Sequence, residues 1–303
     1  MARQPHRLTG FVLGFTGVCL FAGTLPATRL AVSGLDPLFL TAARALLAGS
    51  AGLVVLVATA RRLPPLALWP EIFAAAGCTV LGFPLLAALA MMTVPAAHGG
   101  VVLGILPLAT AASAAMLAGE RPSREFWLVG AVGAAIVLAF VFRRSGGLVL
   151  SAGDLFLLGT VVAGAVGYTL SGRLARSMPG WEVISWQVVV LLPFAALATF
   201  LLWPADLNTV PARSWAGLAY VGLVSQYAAF FVFNAAMAIA GIARVGQLML
   251  LQPFMVLLLA VPVDGEPLDL ETVLFAAAVV MTVLVGQQTR ITRRGANPGT
   301  SHP

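Results

Sequence analysis

Lysine is absent: all 17 basic residues of this 303-residue chain are arginines. Charge of any sign is scarce, 9% of residues against about 25% in soluble domains. Cysteine is nearly missing. Cys19 and Cys78 both fall inside apolar stretches, which excludes a disulfide framework or a cysteine metal cluster and leaves two small core residues. No Walker phosphate loop is present, so ATP is not the expected driver, and no cofactor is expected. Of three histidines, His6 and His302 sit near the chain ends, leaving His98 within the apolar sequence. No Asp or Glu falls in mid-run. Asp36, Glu71, Glu120, Glu125, Asp154, Glu182, Asp264, Glu266, Asp269 and Glu271 lie at ends or corners, and Asp206 lies in a loop.

What is present is apolar. Hydrophobic residues make up 60% of the chain and the mean hydropathy is +0.99. No soluble fold buries that much apolar surface, so lipid is the expected solvent. The net charge of +6 does not signal a nucleic-acid partner, because the arginines are spread over short links between apolar runs. About 20 apolar residues cross a bilayer. Ten such runs are legible: 8–28, 36–60, 71–93, 95–118, 125–142, 152–172, 182–203, 213–240, 242–262 and 269–289. Asp36-Pro37, Ser123 and Asp269 read as helix starts, and Pro64-Pro65 and Trp203-Pro204 as breaks. The weakest boundary is that between the eighth and ninth runs, where only Gly241 and Arg244 offer a turn.

Residues 1–25 have the outline of a signal peptide, with Arg3, His6 and Arg7 before an apolar core and "LPAT". The first run is long enough to span, and its removal would unbalance the repeat described below, so it is expected to stay. With the N-terminus inside, twelve arginines fall on the cytoplasmic side and four outside, Arg44 lying within the second run. That bias predicts both termini in the cytoplasm. The segment 290–303 is polar and reads as a disordered tail.

A constant offset organises the chain. Gly119-Glu120 recurs as Gly265-Glu266, Pro107 as Pro253, Trp69 as Trp215, Gly100 as Gly246 and Ala97 as Ala243, each 146 residues on. This is the mark of an internal duplication. The expected units are 8–142 and 152–289, each of five helices. Five is odd, so the second copy starts from the opposite face, which makes the halves inverted repeats around a midplane site. The fold class is therefore an all-α integral membrane protein of ten transmembrane helices.

Three stretches carry a family resemblance: "LDPLFLTAARALLAG" (35–49), "AAHGGVVLGILPLATAASAAMLAGERPS" (96–123) and "IARVGQLMLLQPFMVLLLAVPVDGEPL" (242–268). They resemble the second, fourth and ninth helices of EamA-type transporters of the drug/metabolite transporter superfamily. The resemblance covers nearly the whole chain. It implies a small-molecule carrier of the bacterial inner membrane, most often an exporter of amino acids or related metabolites, with a cavity lined by helices 1, 3, 4, 6, 8 and 9. A monomer is expected. The copies have diverged: Val190 stands opposite Arg44 and Leu268 opposite Pro122.

Seven residues are candidates for substrate contact: Arg44, His98, Tyr168, Gln226, Tyr227, Asn234 and Gln252. A guanidinium inside a run is costly, so Arg44 either meets a substrate carboxylate or locks helices together. His98 could titrate at a cavity rim or simply sit beside a turn. Gln226 and Asn234, eight apart, are expected to share roughly one face. Gln252 precedes Pro253, where a helix bond is missing. The amides could instead be glue between packed helices, the reading given to Trp186 and Gln187. With no mid-run carboxylate, facilitated transport is expected, His98 being the one candidate for proton coupling. A lipid-modifying enzyme would need clustered carboxylates or an activated nucleophile, and a channel would need charge rings or filter carbonyls. Neither pattern is found.

Overall fold

The computed structural model describes residues 4–117, 120–144, 150–206, 209–240, 248–265, 267, 269–288 and 291–293. Ten apolar helical segments, called spans here, account for the ten runs. Spans 1, 2, 3, 6 and 8 are Thr9–Val32, Pro37–Ala58, Leu66–Met91, Ala152–Leu174 and Ala212–Ala236. Spans 4 and 7 are bent pairs, Ala96–Leu103 with Leu106–Leu117 (41°) and Gly180–Val190 with Leu192–Leu201 (44°). Spans 5, 9 and 10 are shorter: Trp127–Arg143, Gln252–Asp264 and Leu270–Thr282. The two bends were not legible in unbroken runs. Pro107 and Pro193 each fall second in the segment after the bend, where a missing N–H costs least.

Helix starts follow local chemistry. The Asp36 carboxylate accepts from Leu38 N (2.8 Å) and Phe39 N (3.2 Å), with Pro37 in the first turn. Ser151 and Asp154 form a reciprocal capping box at the head of span 6. Span 9 ends at Gly265, whose φ of 69° is left-handed and favours glycine. That explains one glycine of the duplicated Gly-Glu corner. Its counterpart Gly119 and the acid Glu266 lie outside the described residues, as do the turn residues Gly241 and Arg244.

The burial pattern is that of a bundle in lipid. Large side chains face outward, among them Leu66, Met116 and Phe200. Alanines pack inside, Ala22, Ala45, Ala76, Ala87, Ala229 and Ala260 having no exposed surface or almost none. Lipid tails are as apolar as leucine, so helices associate through close approach of small residues. Gly217 lies close against the backbone of span 1: a Cβ there would lie 2.6 Å from Ala27 O. Hydroxyls inside spans turn back on their own helix, as Thr41 does on Pro37 O (2.8 Å) and Thr169 on Ala165 O (2.8 Å), since no water satisfies them there.

The two repeats of five spans interlock. Span 1 packs on span 8, and span 6 on span 3; span 9 packs on span 1, and span 4 on span 6. Spans 2 and 7, 4 and 9, and 5 and 10 pack as mates. Each of these contacts thus has its counterpart under exchange of the repeats. The offset of 146 also reappears in backbone detail. Span 3 is π-helical over Gly77–Gly82 and span 8 over Tyr220–Ala228, the first mapping onto the end of the second.

One expectation is corrected. Part of the tail read as disordered is paired: Ile291–Arg293 (β2) forms an antiparallel ribbon with Glu120–Pro122 (β1), Glu120 opposite Arg293. Backbone groups left between spans 4 and 5 find partners there. Residue 290 and residues 294–303 lie outside the described residues.

Candidate functional site

A small cavity lies where the repeats meet. Its volume is about 30 Å³, room for a water or two against roughly 300 Å³ or more for a ligand pocket. The bundle is therefore closed around it. Span 1 contributes Phe21, Thr24 and Leu25; span 2, Arg44; span 3, Thr79 and Phe83; span 4, Leu103. The second repeat contributes Gly164 and Tyr168 from span 6, Ser225, Gln226 and Phe230 from span 8, and Gln252 from span 9.

A buried chain of polar bonds runs through this lining. Arg44 Nη2 donates to Gln226 Oε1 (2.9 Å), and Gln226 Nε2 donates to Thr79 O (3.3 Å). The Thr79 hydroxyl reaches Ala75 O (2.8 Å) and Gln187 Oε1 (3.1 Å). Gln187 Nε2 donates to Ser171 Oγ (2.8 Å). The hydroxyls of Thr24 and Ser225 share a bond of 2.7 Å. The chain ties spans 2 and 3 to spans 6, 7 and 8, so both repeats share it. Arg44 is 3% exposed, and its Nε is buried without a partner. Tyr168 stacks obliquely on Phe230, ring centroids 6.0 Å apart.

Four of the seven candidates, Arg44, Tyr168, Gln226 and Gln252, meet at this cavity. Three do not. His98 is buried beside span 6, its Nε2 2.8 Å from Asp154 Oδ1, with its ring against Phe140. Tyr227 bonds the Ser185 hydroxyl (2.9 Å) on span 7. Asn234 donates to Gly180 O (2.8 Å), also on span 7. The shared face expected of Gln226 and Asn234 does not hold. Eight residues rotate a helix about 80° beyond two full turns and advance it about 12 Å, carrying Asn234 past the cavity. Gln187 proves more central than expected, as the link from Thr79 to span 6.

Thr79 and Ser225 were missed. Both sit in the π-helical turns, and they are exact repeat mates at the offset of 146; comparing hydroxyls at that offset would have found them. Helical π-turns concentrate at functional sites. Asp154 was correctly read as a helix-end residue, but it is 1% exposed. The pairing with His98 needs span 4 to lie beside span 6, which spacing along the chain does not give.

Both ends of the bundle carry contacts between the repeats. At one end, Arg173 Nε lies 2.8 Å from Glu71 Oε1, joining spans 6 and 3. Arg61 Nε lies 3.6 Å from Glu182 Oε2 and its guanidinium sits over Trp181, joining spans 2 and 7. At the other end are the His98–Asp154 pair and the seam of Gly217 against Ala27 and Ala31. Among the described residues, no group of three His, Cys, Asp or Glu side chains could hold a metal.

Ten spans in two interlocked repeats, closed around a polar site that both halves line, describe a membrane transporter. The profile of the EamA-like transporter family matches residues 8–143 and again 151–285, and the chain belongs to that family. It is similar to the "Uncharacterized transporter YdeK" of Bacillus subtilis (strain 168), 39% identical over 279 residues, 92% of this chain and 97% of that one. It is also similar to the "Uncharacterized transporter YwfM" of the same organism, 28% identical over 265 residues, 87% of this chain and 88% of that one. A solved structure described as "Crystal structure of protein" shares the fold, with a TM-score of 0.63 and 22% identity, over 92% of this chain and 96% of that one.

Proposed function

We propose that the chain is a carrier, not an enzyme, that exports amino acids or related small metabolites across the bacterial inner membrane by alternating access. The observation that carries this is the polar cavity closed between the repeats and lined by π-helical turns at equivalent positions in each. In this reading residues 8–142 and 152–289 are inverted repeats that rock about the cavity, and the protein works as a monomer. The arginine bias supports placing both termini, and the end bearing Arg61, Glu71, Arg173 and Glu182, in the cytoplasm. Arg44, Tyr168, Gln226 and Gln252 contact the substrate; His98, Tyr227 and Asn234 hold helices together.

The test is transport into proteoliposomes with no ion gradient, using a labelled panel of aromatic, aliphatic and small polar amino acids and their deaminated relatives. Saturable uptake accelerated by unlabelled solute on the far side supports a facilitative carrier. Flux without saturation or counterflow would instead mean a channel.

The His98–Asp154 pair favours a second reading, a proton-coupled antiporter, because a buried histidine and carboxylate meet at the contact between repeats. A pH step across the same vesicles separates the two: concentrative uptake driven by the step, lost in His98→Gln, supports coupling.

A further inference from the structure

We infer that the cavity is a carboxylate site for a small monoanion with an apolar tail, Arg44 being its counter-ion. The inference rests on the carrier reading above and narrows its substrate from amino acids, which are zwitterions, to related metabolites that carry a single negative charge.

Arg44 is a buried cation that no anion among the described residues neutralises. Its one hydrogen bond goes to the neutral amide oxygen of Gln226. Its Nε is buried and has no partner. The ion pairs among the described residues lie elsewhere: Arg61 with Glu182, His98 with Asp154, Arg143 with Glu271, and Arg173 with Glu71. The other polar groups of the lining are hydroxyls and amides, from Thr24, Thr79, Tyr168, Ser225 and Gln252. Not one carboxylate is among them.

Burying an unpaired ion costs several kcal/mol even after relaxation, so the site favours the occupant that cancels its charge. With Arg44 charged, a cation would raise the charge of the site to two, and a zwitterion would leave it at one. A monoanion brings it to zero, and a dianion overshoots. A guanidinium with a free edge also suits a planar carboxylate, which can accept two of its N–H groups. The faces of Phe21, Phe83 and Phe230 give the rest of the molecule an apolar berth. The present volume of about 30 Å³ admits no such solute, so the site widens as the repeats part.

Three probes with one body test this: 3-phenylpropionate (monoanion), phenylalanine (zwitterion) and phenylalaninamide (cation). Thermal melting of the purified full-length protein in detergent is followed against the concentration of each at neutral pH. The monoanion is expected to stabilise at a concentration at least about tenfold lower than the zwitterion, whose ammonium would be buried beside Arg44 with no anion of its own; the cation is expected to give no shift. Gln226→Glu then supplies Arg44 with an anion in place. This variant is expected to melt near the wild type and to lose the shift with the monoanion. Equal shifts from the zwitterion or the cation would overturn the charge class. So would no shift from any probe, or a shift with the monoanion that survives Gln226→Glu. Failure of the carrier reading would show separately, as absence of counterflow for every solute of the panel.

Discussion

Arg44 and Gln226 meet at 2.9 Å in the middle of the bundle, and their bond joins span 2 of one repeat to span 8 of the other. The amide faces both ways, accepting from the guanidinium and donating to Thr79 O on span 3. One side chain thus sets the position of Arg44 in the cavity and of one π-helical turn.

Gln226→Ala removes that acceptor and leaves a buried guanidinium with no protein partner. The expected cost is about 1–3 kcal/mol for the abandoned donor, more if the charge stays unsolvated. Melting in detergent should fall clearly for Gln226→Ala. A melting point equal to wild type would mean that water serves Arg44 as well as the amide does.

The Arg173–Glu71 pair crosses the seam between spans 6 and 3 at a partly exposed position. Such pairs contribute below about 1 kcal/mol, so Glu71→Gln should barely change the melt. It should open that seam more often. Cys78, a free thiol on span 3 beside Gly167, reports this: in a Cys19→Ala background, Glu71→Gln should speed its reaction with a hydrophilic thiol reagent. The exchange Glu71→Arg with Arg173→Glu should slow it again. If labelling is the same in both variants and in the Cys19→Ala parent, the pair does not hold the seam.

Gly217→Val places a Cβ 2.6 Å from Ala27 O and 2.9 Å from Ala31 N. Backbone cannot swing aside as a side chain does, so spans 1 and 8 must separate. Overpacking of this kind costs about 1–3 kcal/mol. The variant should melt lower and lose transport together, whereas Gly172→Val, with no neighbour within reach, should retain both.

His98→Ala takes away a donor to the Asp154 carboxylate, which still accepts from Ser151 N and Oγ. A loss of about 1–3 kcal/mol is expected for the buried acceptor. Adding Asp154→Asn removes the charge left behind, so the double variant should melt no lower than His98→Ala alone. A further large drop would show that Asp154 matters chiefly as the cap of span 6.

Much of the architecture was open to inspection before any coordinates. Hydropathy located ten runs, because hydrocarbon tolerates only long apolar helices. The offset of 146 located the duplication, because it survives in Gly, Pro and Trp where turns and breaks leave few alternatives. It could not locate the bends in spans 4 and 7, since a proline in a lipid-facing helix can be tolerated straight or kinked.

The site divided differently. Arg44 stood out because a mid-run charge is rare. Tyr168, Gln226 and Gln252 could be proposed as polar groups in apolar runs, but so could Tyr227 and Asn234, which bond span 7 instead. Composition and spacing determined that the chain is a duplicated membrane bundle and which side chains are polar enough to matter. Only the tertiary structure decided which of them face the cavity and that His98 meets Asp154. The direction of a side chain depends on which helix lies opposite, and helix pairing in lipid is set by local packing of small residues, which periodicity along one chain does not encode.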